Sequence, residues 1–308
     1  MEERIICRVL TGPTCSGKTE MSLRLAEKHG WEIACMDSMQ IYRGMDIGTA
    51  KPTAEERRRV PHHLLDICDP QDPFSVALYR DLAESLVREK KKNSGKDILF
   101  VGGTGLYLKA MVYPMEMGSV PADETLRREL NTLAEQPGGK EKIHRILQKL
   151  DPDTAKRLPL NDIRRSIRAI EVSRHTGIPF SRQPERKIRS PFEWRIVSTE
   201  VPRANLYDRI NRRVHQMMKA GLADEVRQLL EMGIPENAQS MQGLGYKETV
   251  LYLKGIRTLE ETVEDIQKGT RHYAKRQETF LRRWTEIQTV NSLSEDAMEQ
   301  AEKVLLGG

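Results

Sequence analysis

The sequence predicts an α/β protein, a P-loop parallel sheet flanked by helices, with an inserted all-helical domain. Three observations predict it. An apolar run at 5–10 leads into a glycine-bearing loop and then a segment of helical spacing. Strand-like and helical segments alternate as far as Tyr113. Beyond Pro114 the alternation gives way to charged, helix-like sequence until about Phe180. This order predicts a core of residues 1–113 and 191–308, the latter bringing C-terminal helices, and a helical insertion at 114–190.

Taken in order, 5–10 reads as a buried strand and 19–29 as a helix with Met21, Leu25 and Ala26 on one side. A second strand, 32–36, ends at Asp37. A helix rich in Leu and Val at 76–92 precedes a third strand, 97–101, which runs into Gly102, Gly103, Thr104 and Gly105. In a parallel, doubly wound sheet the ligand crevice lies beyond the carboxyl ends of the strands, so Asp37 and the Gly102 turn fall at the working edge. The insertion is punctuated by Pro121, Pro137, Gly138, Gly139, Pro152, Gly177 and Pro179. A strand at 194–198 then resumes the core, followed by helices ending near Gly233 and Gly255 and a long basic helix around Tyr273. The tail, 291–308, reads as a final helix without chemistry.

Composition narrows the function. Of 308 residues 38% are hydrophobic and 31% charged, and no stretch approaches the ~18 uninterrupted apolar residues of a membrane span. With no signal-peptide pattern at the N-terminus, a cytoplasmic protein without a membrane role is expected. Cys7, Cys15, Cys35 and Cys68 form no C-x-x-C pair and the histidines show no ligand spacing, which argues against zinc or a disulfide framework. The net charge is +5. The segment 160–189 carries eight Arg or Lys (Arg164, Arg165, Arg168, Arg174, Arg182, Arg186, Lys187, Arg189) against three acids, a surplus equal to that of the whole chain. A second run, 271–283, sets Arg271, Lys275, Arg276, Arg282 and Arg283 against Glu278 alone. Each run reads either as a nucleic-acid contact or as a solvated helix face.

Gly12, Pro13, Thr14, Cys15, Ser16, Gly17, Lys18 and Thr19 satisfy G-x-x-x-x-G-K-[ST] between a strand and a helix, the context that motif needs. Small residues let backbone N–H groups converge on phosphate oxygens, the helix N-terminus and Lys18 supply positive charge, and the Thr19 hydroxyl is a ligand for Mg²⁺. Most such loops hold ATP or GTP beside a carboxylate at the end of another strand. Here the third strand ends without an acid. Asp37 is the acid available, as a helix N-cap or as a base or metal-linked group. A P-loop kinase and a nucleotide-gated RNA-binding protein both remain open on these features.

The chain resembles the tRNA dimethylallyltransferases, or tRNA prenyltransferases, in their bacterial form. The resemblance rests on 12–19; on Asp37-Ser38-Met39-Gln40-Ile41-Tyr42 with Gly48-Thr49-Ala50-Lys51-Pro52; on Gly102-Gly103-Thr104-Gly105-Leu106-Tyr107; on Asn161-Asp162 with Arg165, Arg168 and Glu171; on Gly245-Tyr246-Lys247-Glu248; and on Ala274-Lys275-Arg276-Gln277, all in family order. It implies transfer of a dimethylallyl group from its diphosphate to the exocyclic amine of the adenosine 3′ of the anticodon. The implied partners are dimethylallyl diphosphate and the tRNA anticodon arm, with Mg²⁺ as cofactor and a monomer as the working form.

Asp37 is then the base, the P-loop the diphosphate cradle, and Thr104 and Arg213 further catalytic positions. Thr104 reads equally as the N-cap of the next helix, and the adjacent Arg212 leaves the choice of arginine open. Implied on the RNA are Asp37, Ser38, Met39, Gln40, Thr104, Arg127, Asn161, Asp162, Ile163, Arg164, Arg165, Arg168, Gln242, Gly243, Leu244, Gly245, Tyr246, Lys247, Lys275, Arg276, Gln277 and Arg282. The alternative for Arg165 and Arg168, three apart on one helix face, is pairing with Asp162 and Glu171.

Overall fold

A computed structural model describes residues 4–113, 120, 122–183 and 190–308. They fall into two compact units, Met1–Tyr113 with Arg189–Gly308, and Pro114–Ile188. Pro114 and Pro121, and Glu185, Arg186, Lys187 and Arg189 of the basic segment, lie outside the described residues.

The first unit is built on six strands: β1 (Ile6–Thr11), β2 (Glu32–Cys35), β3 (His62–His63), β4 (Ile98–Val101), β5 (Glu193–Glu200) and β6 (Gln288–Asn291). They lie in the order β3-β2-β4-β1-β5-β6, and every pairing is parallel. Val9 on β1 stands beside Phe100 on β4 and Ile196 on β5. Successive side chains point to opposite faces, so each inner strand feeds two cores and reads as a continuous apolar run. Cys7, Val9, Ala34, Ile98, Phe100 and Ile196 enter one core with α3 (Val76–Asn93) and α4 (Gly105–Val112). Leu10, Ile33, Leu99 and Val197 enter the other with α1 (Lys18–His29). Arg8, nearly buried on that second face, is held by Asp97 at 2.9 Å, by the Leu305 carbonyl at 3.1 Å and over the Trp31 ring.

A short helix, α2 (Ala54–Arg59), and both edge strands escape a reading by hydrophobic pattern. In β6 only Val290 is buried, and β3 is two half-buried histidines, so neither shows an apolar run. β6 ends at Asn291, where the tail read as a final helix begins, and that helix runs Ala297–Leu306.

Among its described residues the second unit is all-helical: α5 (Glu124–Glu135), α6 (Gly139–Leu150), α7 (Pro152–Arg157) and α8 (Ile163–Thr176), closing on Leu126, Leu130, Ile143, Leu147, Ala155, Ile167 and Ile170. The first unit ends with α9 (Arg203–Lys219), α10 (Leu222–Glu231), α11 (Tyr246–Leu253), α12 (Leu259–Leu281) and α13 (Ala297–Leu306). Among the described residues no helix is long and apolar enough to cross a membrane, and the four cysteines are free thiols.

Asp151 is the polar knot of the helical unit. It is buried, caps α7 through the Thr154 N–H (3.0 Å), and accepts from the Ser181 N–H (2.6 Å) and hydroxyl (2.7 Å). Burial alone would raise its carboxyl, but the Thr154 and Ser181 hydrogen bonds outweigh it and hold the group at about 2. Asp151→Ala should therefore destabilise this unit by about 1–3 kcal/mol at neutral pH. A depressed carboxyl contributes stability that is complete above its unfolded value near ~4 and disappears as pH falls towards 2. Chemical denaturation of wild type and variant at pH 7, 4 and 2 should show their difference shrinking over the lower interval.

Candidate active site at the carboxyl ends of the strands

Parallel alignment delivers the ends of β1, β2 and β4 to one edge. The loop after β1 runs from Gly12 to Gly17 and enters α1 at Lys18. Ser16 turns inward onto Thr199 at the end of β5 (2.5 Å), and the Thr11 hydroxyl donates to the Gly102 carbonyl after β4 (2.9 Å). After β2, the Met36 carbonyl accepts from the Thr104 N–H at 3.3 Å, which sets Asp37 beside the Gly102 turn.

One side chain ties this edge together. Gln277 of α12, buried, donates through Nε2 to the Gly103 carbonyl (2.8 Å) and accepts at Oε1 from the Thr14 N–H (2.9 Å). A Cβ at Gly103 would lie 2.2 Å from that Nε2 and 2.9 Å from the Gly12 carbonyl, so the approach requires glycine.

The cations converge on the loop from two helices. Lys18 folds its Nζ onto the carbonyls of Gly12 (3.0 Å) and Pro13 (2.6 Å). On α9, Arg213 reaches the Thr14 hydroxyl and Arg209 the Cys15 carbonyl, both at 3.4 Å. Arg212 faces the other way, paired with Asp208 on the surface. Of these two arginines, Arg213 is thus the one that the packing of α9 turns towards the loop. Arg209 is absent from the sequence-predicted set, although it precedes Arg213 by one helical turn and the spacing alone could have flagged it. Burial first, and then the like charge of Arg213, lower Lys18 to about 8.

No helix begins at Asp37. Its Oδ1 accepts from the Met39 N–H at 2.8 Å, a local turn, and the side chain is half-buried. Burial raises its carboxyl above the usual range; the Met39 and Gln40 N–H groups and the charges of Lys18 and Arg213 oppose the rise without cancelling it. Thr104 stands at the N-cap of α4, but its hydroxyl makes no cap bond and accepts instead from the Ser38 N–H at 3.0 Å. Burial, followed by the Asp37 charge, raises the phenol of Tyr273 on α12, and the Thr104 side chain acts to lower it. Tyr273 was read only as part of a basic helix; it lies one turn before Gln277, on the face turned to the site.

The structure divides the remaining RNA candidates. Gln40 donates its amide to the carbonyls of Thr49 and Ala50. Tyr246 is buried: its hydroxyl donates to Glu225 at 2.6 Å, and the same carboxylate accepts the N–H groups of Asp46, Ile47 and Gly48. Like Gln277, it is engaged within the fold. Gly243 and Gly245 are buried and Leu244 half-buried, whereas Gln242, Lys247, Lys275, Arg276 and Arg282 are exposed.

In the helical unit, Arg127 and Arg168 both bind Glu171, Arg127 at 2.8 Å, and Arg168 also donates to the Val120 carbonyl. Burial acts to raise Glu171, and these hydrogen bonds more than reverse it. For Arg168 this geometry is the pairing named as the alternative. Asp162 caps α8 and meets Arg165 at 3.2 Å, while Arg164 and Arg165 are exposed and the Asn161 side chain accepts from Lys140.

The edge thus gathers the loop at 12–17, three cations and one partly buried carboxylate, an arrangement able to hold an anion beside a proton acceptor. Comparison with known proteins agrees. The family model described as IPP transferase matches residues 40–284. A tRNA dimethylallyltransferase of Desulforudis audaxviator is 47% identical over 91% of this chain and 89% of its own. The full-length tRNA isopentenylpyrophosphate transferase of Bacillus halodurans, 40% identical, superposes with a TM-score of 0.73 over 99% of this chain and 96% of that one. A eukaryotic dimethylallyltransferase described as acting on tRNA gives 0.78 at 26% identity, over 97% and 78%. The chain belongs to the IPP transferase family, whose curated members here carry the name tRNA dimethylallyltransferase.

Gln277→Leu keeps the volume and removes both hydrogen bonds. It should cost about 2 kcal/mol of stability and weaken inorganic pyrophosphate binding roughly tenfold by releasing the loop. Denaturant titration and calorimetry check the two effects.

Proposed function

We propose that this chain transfers the dimethylallyl group of dimethylallyl diphosphate to the exocyclic amine of the adenosine 3′ of a tRNA anticodon. One observation carries the reading: Lys18, Arg209 and Arg213 gather on the phosphate loop, and the carboxylate facing their field is Asp37, at the end of a different strand. In the reaction the bond between the donor's C1 and its diphosphate oxygen breaks, a bond from C1 to the amine nitrogen forms, diphosphate departs, and the amine proton passes to Asp37. The amine is a poor nucleophile because its lone pair is conjugated with the ring, so a positioned base contributes ~10²- to 10⁴-fold. The cations stabilise the charge that develops on the leaving oxygen. Thr104, which accepts from the Ser38 N–H, keeps the Asp37 turn in register with the loop.

Magnesium fits these residues in a limited way. Thr19, exposed in the first turn of α1, offers one hard oxygen, and among the described residues no three His, Cys, Asp or Glu side chains form a metal cluster. Such a site suits an ion held mainly by diphosphate oxygens and water, whose chemistry is to neutralise the leaving group. For the RNA, the exposed Arg164 and Arg165 of the helical unit and Lys247, Lys275, Arg276 and Arg282 of the first supply phosphate contacts. A tRNA substrate is consistent with the cytoplasmic location expected from the sequence.

Labelled dimethylallyl diphosphate, Mg²⁺ and unmodified tRNA provide the test, with label followed into RNA. Turnover of ATP with no label in RNA would favour a kinase. In single turnover, Lys18→Ala should lose at least ~10²-fold with little change in tRNA affinity, and Asp37→Asn ~10²- to 10⁴-fold. Because a protonated Lys18 binds the diphosphate, pyrophosphate affinity should fall as pH rises through about 8. Lys18→Arg should move that loss to higher pH, which calorimetry across the range will read.

A further inference from the structure

Lys268 and His272 belong to none of the groups assigned above, yet they continue one. Along α12 the exposed side chains of Lys268, His272 and Lys275, with Arg282 at the end of the helix, follow intervals of four, three and seven residues and so share a face. At ~1.5 Å per residue the stripe is about 21 Å long. Among the described residues none of these four has an acidic partner. Their neighbours off the stripe are engaged, Arg271 with Asn211 at 2.8 Å and Arg276 over the Tyr273 ring.

At its N-terminal end the stripe enters an open groove of about 530 Å³ between α11 and α12, lined by Lys247, Lys268 and His272 together with Glu248, Leu251 and Asp265. Both acids there have cationic or N–H partners. Glu248 accepts from the Gly245 N–H at 2.8 Å and lies 3.6 Å from Lys247, and Asp265 faces Arg257 at 3.7 Å. The groove is open and its cations stand at the surface, an arrangement that suits a chain of phosphates and offers no enclosed seat for a small anion.

We infer that Lys268 and His272, with Lys247 across the groove, form a phosphate track that prolongs the RNA contact from Arg282 and Lys275 along α12 towards α11. The partner is an RNA backbone, gripped by charge and hydrogen bonding without reading bases. This rests on the proposed tRNA-modifying role.

The experiment compares two double variants of the full chain, Lys268→Ala with His272→Ala, and Lys275→Ala with Arg282→Ala, titrated with unmodified tRNA at several salt concentrations. All four positions are exposed, and thermal melts report on folding. The first pair should bind tRNA roughly five- to tenfold more weakly, with the slope of log affinity against log salt reduced by about 1. Pyrophosphate affinity and the single-turnover rate at saturating tRNA should match wild type. If the second pair weakens binding while the first leaves affinity and slope unchanged, the track ends at Lys275 and the inference is overturned with the tRNA reading intact. If neither pair alters tRNA binding, α12 is not an RNA surface and the inference falls, whereas a wild type that neither binds tRNA nor labels it would overturn the tRNA reading on which it rests.

Discussion

The candidate active site hangs on one buried amide. The phosphate loop and the Gly102 turn each end a strand; the Thr11 hydroxyl joins them at their base, but beyond it no side chain of either fixes the other. Gln277 does so from a third element, giving its N–H to one and taking an N–H from the other. An amide is suited to this because it donates and accepts at once, and burial makes either bond expensive to leave unmade. The requirement passes back to Gly103, where any Cβ would displace the amide, and to α12, whose register is pinned at that point. Tyr273 and Thr104 inherit their relation from the same pin.

Around that frame the electrostatics are one-sided. Three cations stand near the loop, and the low value of Lys18 records both its desolvation and the repulsion from Arg213. Such repulsion is unfavourable in the free protein and is relieved by a polyanion, which suits the charge that the proposed donor brings and its leaving group develops. Asp37 is held in the opposite tension, raised by burial and restrained by the cations and two backbone N–H groups. A carboxylate so placed keeps some affinity for a proton, which suits the proposed base.

Much of this was legible in the sequence because the constraints are local. A loop that wraps phosphate needs small residues and a lysine at set spacing, and buried parallel strands need continuous apolar runs. What was not legible depends on packing. Adjacent residues such as Arg212 and Arg213 point about 100° apart on a helix, and only the direction of the core tells which one meets the loop. Tyr246 and Gln277 stand within motif segments and resemble surface residues in type; that Glu225 and the phosphate loop claim them depends on elements far away in the chain. The edge strands went unseen because β3 and β6 have hardly any apolar pattern. In the helical unit, spacing gave Arg165 and Arg168 one shared face, but burial of Glu171 separates their roles.

The neighbours of β1 have a consequence for biosynthesis. β1 lies inside the sheet, yet on one side it pairs with β5, whose residues are translated some 190 positions later. Until then that margin of β1 presents unpaired N–H and C=O groups, the kind of edge that recruits other strands. A ribosome adding ~5–20 residues per second leaves it open for roughly ten seconds or longer. The phosphate loop at the end of the same strand therefore emerges long before the residues that complete it.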